Sequence, residues 1–258
     1  MEPTPQTRTE RTARLCAETA LFMRDLVLSR VSHDLRSPLN AIHSWAYVLE
    51  RKVDGADAAA LRALGGIRTG VEQQVRLLET LVDTTRAETR KLHIERAPFA
   101  LGALIGEAVG DARAALGDAR GVTFAVQDTT GAAMLDGERE RIAQALWLML
   151  VFAAETSAHG ASVTLEAGAT TTAAKFAVKW RATPQALTDD TLAHVLEPFA
   201  RTQASAPQEA GRHAWVLALC QRVAEAHGGR FAAPALLGEG EDVALVLGVP
   251  LSGAQAQA

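Results

Sequence analysis

The chain is short of the features that mark secreted, metal-bound or membrane-spanning proteins. Its 258 residues include two cysteines, Cys16 and Cys220, far apart and with no Cys or His at metal-ligand spacing. That excludes a disulfide framework and a zinc site, and two reduced thiols are expected. No long apolar run is present. The most apolar stretch, 142–154, is too short for a bilayer and contains Gln144. The first ten residues are polar and lack an apolar signal core. Neither sign of charge dominates. A formal net charge of −4 gives no long-range attraction to nucleic acid or to an anionic membrane. No internal repeat or low-complexity tract interrupts the chain. With 48% apolar and 22% charged residues, the composition is that of an ordinary globular protein of one or two domains. These absences predict a cytoplasmic protein with no membrane span and no nucleic-acid partner. They also leave no room for a sensor domain ahead of the first helix, so any input is expected from a partner or through that helix.

What is present begins with helical periodicity. Residues 1–10 hold Pro3 and Pro5 and are expected to be disordered. From 11 to 51 one long helical pattern runs with a single interruption at Pro38: Leu15, Phe22, Leu26, Val31, Leu35, Leu39, Ile42, Trp45 and Leu49 recur largely at steps of three and four. Residues 54–57 read as a turn with Asp57 as N-cap. A second helix to about residue 90 carries a heptad-like seam of Leu64, Ile67, Val71, Gln74, Leu78, Leu81 and Thr85. A lone hairpin cannot cover its apolar faces, so two copies pairing into a four-helix bundle are expected.

Beyond residue 91 strands and helices mix. Strands are expected near 93–99, 121–126, 132–135, 161–167, 174–180, 231–235 and 242–249. Helices are expected at 101–116, 137–156 and 212–227, the last stopped by Gly228-Gly229. That order predicts a two-layer α/β sandwich, a sheet with helices on one face, with a disordered tail over 252–258.

The segment Ser32-His33-Asp34-Leu35-Arg36-Ser37-Pro38-Leu39-Asn40-Ala41-Ile42 carries the chemistry. A neutral imidazole is a nucleophile near physiological pH, and its phosphoramidate can pass the phosphoryl group onward. A carboxylate at the next position can accept the ring proton and orient the ring. Pro38 removes one helical hydrogen bond and bends the helix. Ser37, four residues on, shares the face of His33. The segment resembles the H box of two-component histidine kinases, with conservative departures at Asp34 and Ser37. The resemblance continues through Leu135-Asp136, Arg141 to Leu146, Glu197-Pro198-Phe199, Leu217-Ala218-Leu219 and Glu225-Ala226-His227-Gly228-Gly229, which are similar to the anchors of the ATP-binding domain shared by histidine kinases and gyrase. It implies His33 as phosphoacceptor, Asp34 as general base and orienter, and a phosphatase role for Ser37. It also implies a response-regulator receiver domain docking on Ser37, Asn40, Ala41 and Trp45.

The departures concern the nucleotide. Counted from these anchors, the two metal-holding Asn positions of the family fall on Leu148 and Phe152. The D-x-G-x-G positions fall on Ala182, Pro184 and Ala186, and those of the second glycine box on Arg212, Ala214 and Val216. Mg²⁺ loses its protein ligand, adenine its acceptor, and the phosphates their close approach to backbone N–H groups. The resulting expectation is a phosphotransfer or phosphorelay protein with a pseudokinase domain. It has a hairpin domain at 11–90, a degenerate ATP-binding-like domain at 91–251, and no cofactor or metal. Three alternatives stay open: an active kinase with an atypical ATP site using ATP and magnesium, a phosphatase or heterodimerising partner of another histidine kinase, and a non-enzymatic dimeric scaffold. The remaining histidines, His159, His194 and His227, read as surface or partly packed.

Overall fold

The computed structural model describes residues 5–55, 57–86, 92–205 and 213–251, and of 5–9, 81–86, 213 and 214 the backbone alone. The chain divides into two compact units, one of residues 24–91 and one joining residues up to Met23 with those from Leu92 onward.

Helix α1, Pro5–Glu50, contains no glycine and continues through Pro38. It begins at Pro5, so residues 5–10, expected to be disordered, are helical. A proline is tolerated there because the first N–H groups of a helix have no internal partner. Pro38 cannot donate the N–H that the Asp34 carbonyl would accept in an unbroken helix. A turn leads to α2, Ala58–Arg86. Asp57 caps it as expected, its Oδ1 accepting the Ala60 N–H at 2.9 Å. Within residues 24–91, Ala46, Leu64 and Val71 are buried between the two helices, with Leu39, Val75 and Leu78 half-buried beside them.

The seam expected along α2 divides in two. Leu64 and Val71 face α1, whereas Ile67 stays 47% exposed and Gln74 lies exposed with it. A heptad stripe presents two adjacent rows, and a single partner helix covers one of them. The side chains of Leu81 and Thr85 lie outside those described. Val31, Leu35, Ile42 and Leu49 remain exposed along α1. With Pro38, Leu39, Gln74, Leu77 and Leu78, Leu35 and Ile42 line an apolar groove of about 540 Å³.

The other unit is an α/β sandwich. Strands β1, Ala97–Ala100, and β3, Met134–Gly137, form an antiparallel pair. Strands β2, Thr123–Thr129, β4, Ser162–Ala169, β5, Ala173–Arg181, β6, Arg230–Ala232, and β7, Asp242–Pro250, form one sheet in the order β2-β4-β5-β7-β6. The pair β2–β4 is parallel and the others are antiparallel. Helix α3 spans Leu101–Ala112 and continues through a wider turn at Arg113–Gly117. Helix α4, Arg139–Glu155, is buried at every position from Ile142 to Glu155. It packs on α3, β4, β5 and the later helix α7, which explains its apolar run. Short helices α5, Pro198–Ser205, α6, His213–Val216, and α7, Ala218–Ala226, complete the layer. The single helix expected over 212–227 is thus broken at Leu217.

Residues 11–23 of α1, expected in the hairpin domain, pack into this unit instead. Leu15, Thr19, Phe22 and Met23 are buried. Arg11 donates to Asp111 at 2.6 Å and to Glu107 at 2.5 Å, and Arg139 pairs with the same Glu107. Glu18 accepts from Arg141 and Gln144, each at 2.7 Å. Burial works against the Glu18 charge, but Arg14, Arg141 and Gln144 outweigh it and hold its pKa below the usual carboxylate range.

Candidate functional site

His33 lies on α1 with 80% of its side chain exposed, and Asp34 with 61%. The His33 Nδ1 stands 3.3 Å from Asp34 Oδ1. A carboxylate only accepts, so this contact suits the neutral Nδ1–H tautomer, in which Nε2 carries the lone pair. The second Asp34 oxygen faces Arg30, whose Nε is 3.7 Å away. Ser37, Asn40 and Ala41 are exposed on the following turns. On the inner side of the same stretch Ser32 is buried, and Arg36 reaches Glu79 on α2 at 3.7 Å.

The four expected partner contacts are all exposed along α1. Asn40 lines a groove of about 320 Å³ with His43, Val71, Glu72, Val75 and Arg76, and His43 Nε2 is 3.6 Å from Glu72. Trp45, 68% exposed, lies three residues from Ile42 and four from Leu49, on the apolar flank.

The positions matched to nucleotide binding lie in the α/β unit. Leu148 and Phe152 on α4 are fully buried, and Phe152 meets Trp180 edge-on with ring centroids 6.3 Å apart. Ala182 is fully buried, and both its backbone groups are engaged. Its N–H donates to Glu241 O at 2.8 Å, and its carbonyl accepts from Gly240 at 2.7 Å. Pro184 and Ala186 are buried in a short 3-10 turn, and Val216 is buried at the end of α6. Arg212 lies outside the described residues. Ala214 is in α6, with no side-chain description.

Two clusters escaped the sequence reading. Glu155, fully buried, closes α4. Its Oε1 accepts the N–H groups of Val195 and Leu196 at 2.7 and 2.8 Å, and Oε2 lies 2.8 Å from His194 Nδ1. Arg120, also fully buried, donates to the carbonyls of Ala193, Glu155 and Ser157 at 2.8, 3.1 and 3.3 Å. Burial draws its pKa down, and Glu155 opposes that. This network fixes the segment leading into Glu197-Pro198-Phe199. The second cluster is His227, expected at or near the surface but fully buried. Its Nδ1–H donates to Val223 O at 2.7 Å and its Nε2 accepts the Glu138 N–H at 3.0 Å. Neither cluster has a local signature, because each joins residues far apart in the chain. Among the described residues no group of His, Cys, Asp and Glu could hold a metal, and no helix is long and apolar enough to cross a membrane.

A helical hairpin bearing an exposed His-Asp pair, followed by an α/β sandwich of this strand order, defines a class. Residues 23–90 match the His Kinase A (phospho-acceptor) domain. A histidine kinase from Burkholderia phymatum, known from its crystal structure, is 52% identical, with 95% of this chain and 99% of that one covered and a TM-score of 0.78. The chain belongs to the histidine kinase family. The probable sensor histidine kinase TcrY of Mycobacterium tuberculosis is 28% identical over 221 residues, covering 84% of this chain and 44% of that protein. The signal transduction histidine-protein kinase BaeS of Escherichia coli is 25% identical over 213 residues, covering 82% and 44%. The chain therefore spans less than half the length of these two relatives.

Proposed function

We propose that the chain carries a phosphoryl group on His33 Nε2 and exchanges it with an aspartate of a response-regulator receiver domain in two-component signalling. The observation that carries this reading is the His33-Asp34 pair: exposed, with Nδ1 directed at the carboxylate and Nε2 open to a partner. In the transfer, the Nε2 lone pair attacks phosphorus, the P–O bond to the regulator's aspartate breaks, and the aspartate leaves as carboxylate. Positive charge gathers on the ring, and Asp34 stabilises it or takes the Nδ1 proton. Ser37, one turn on, is assigned to orient a water that attacks the regulator's aspartyl phosphate, breaking the P–O bond to the aspartate and releasing phosphate. Ser37, Asn40 and Ala41 are assigned to regulator contact. Trp45 is assigned to the edge of the apolar flank, which we assign to pairing with a second hairpin.

The nucleotide positions do not fit Mg-ATP as this family holds it. Leu148 and Phe152 offer no oxygen to a hard cation and sit in the core. Ala182 offers no carboxylate to adenine, and its backbone is already bonded to Gly240 and Glu241. A shifted alignment does not repair the first loss, because Asn40, in the H box, is the only asparagine in the chain. The phosphoryl group is therefore assigned to a partner source rather than to ATP.

Radiolabelled phosphate offered on receiver domains and histidine kinases tests the reading. Wild type should acquire acid-labile label. His33→Ala should acquire none, while its stability changes by no more than about 0.5 kcal/mol, as for an exposed side chain. Full labelling of His33→Ala would overturn the assignment. An unlabelled wild type would favour a non-enzymatic scaffold.

A further inference from the structure

Arg30 precedes Asp34 by one helical turn on the exposed side of α1. Its Nε lies 3.7 Å from Asp34 Oδ2, while the other oxygen, Oδ1, lies 3.3 Å from His33 Nδ1. The carboxylate is thus held from both ends, by a permanent cation on one oxygen and by the imidazole on the other. Across the hairpin, Arg36 and Glu79 engage each other at 3.7 Å. Arg30 is 65% exposed, and such i,i+4 surface pairs contribute little to stability, so this contact has small structural value. Its geometric value is larger. With most of its surface in solvent, Asp34 has rotamers that point away from the ring, and an anchor on Oδ2 selects the one that places Oδ1 beside Nδ1.

We propose that Arg30 is a positioning residue for the phosphoacceptor, acting through Asp34. By holding Oδ2 it keeps Oδ1 on Nδ1, which fixes the ring hydrogen there and leaves Nε2 as the nucleophile. This inference rests on His33 being the phosphoryl carrier, but its first test does not.

That first test is nitrogen-edited NMR of the imidazole rings at neutral pH, with the His33 signals assigned by their loss in His33→Ala. Wild type should favour the Nδ1–H tautomer. Asp34→Ala should return the ring to the ratio of a free histidine. Arg30→Ala should move it most of the way there, and Arg30→Lys should keep part of the wild-type bias because the charge remains. In the Asp34→Ala background, Arg30→Ala should add nothing, since its effect runs through the carboxylate. The second test is the rate at which phosphoramidate, a small phosphoryl donor, phosphorylates His33 in the intact chain. Nε2 attacks phosphorus, the bond to nitrogen breaks, and ammonia leaves. Asp34→Ala should slow this by roughly 10²-fold and Arg30→Ala by about three- to tenfold, again without further loss in the double variant. A wild-type tautomer ratio in Arg30→Ala would overturn the proposal. So would an Arg30→Ala effect of full size without Asp34, which would mark direct contact with the phosphoryl group. If regulators fail to label His33 while the tautomer series behaves as stated, the functional reading fails and the role of Arg30 stands.

Discussion

At the scale of single residues, His227 and Gly229 show how the α/β unit closes. Burial pushes the His227 pKa below its ordinary value, and both ring nitrogens serve the neutral form: Nδ1–H donates and Nε2 accepts. A second ring proton would meet the Glu138 N–H head-on. The unfolded chain binds that proton from about pH 6.5 downward, and the folded chain resists it until a lower pH. The contribution of His227 to stability is therefore present above about pH 6.5 and declines as pH falls below it. Urea midpoints between pH 7.5 and 5 should show the decline, and His227→Gln should flatten it. Gly228 adopts a left-handed φ of 73° at the end of α7, where a side chain is strained. Gly229 passes so close to the Gly248 carbonyl that an added Cβ would overlap it, and backbone cannot swing aside as a side chain can. Gly229→Ala should cost at least about 2 kcal/mol by chemical denaturation, whereas Gly55→Ala, with open space around it, should cost little. The two cysteines are poor nucleophiles: burial pushes the Cys16 thiol up to about 11 and that of Cys220 higher still.

At the scale of elements, legibility follows distance along the chain. The H box, the Asp57 cap and the Gly228-Gly229 stop could be read because each depends on residues within a turn or two. The network of Arg120, Glu155 and His194 could not, since its members lie 35 to 74 positions apart. The seam on α2 was legible as a stripe but not as two rows, because periodicity gives a face without saying what covers it. Ile67 and Leu77, 47% and 69% exposed, are better placed than the half-buried Leu78 to test pairing of hairpins. Replacing both with aspartate should give monomers by light scattering with the monomer fold retained, since charges would be buried only in the pair. Glu18→Ala removes the acceptor for Arg141 and Gln144 from α4. It should lower stability by about 1 kcal/mol, discounted for partial exposure, and by less at high salt.

At the scale of the whole molecule, the hairpin-plus-sandwich architecture was legible, and the allotment of α1 was not. Its residues 11–23 follow the same helical period as the rest, and nothing in that period says which unit they join. Calorimetry with Mg-ATP up to millimolar concentration should show no saturable heat. A micromolar dissociation constant would restore the active-kinase alternative. The shared helix has a further consequence for how the chain can be cut. A fragment starting at residue 92 leaves Leu15, Thr19, Phe22 and Met23 behind, and with them the partners of Glu107, Asp111 and Arg141. Such a fragment has an open slot shaped for one particular helix. A synthetic peptide of residues 5–23 should therefore bind it in trans and raise its melting temperature roughly with the logarithm of peptide concentration once the peptide is in excess of its dissociation constant. The same peptide with Arg11 and Glu18 exchanged for alanine should bind more weakly.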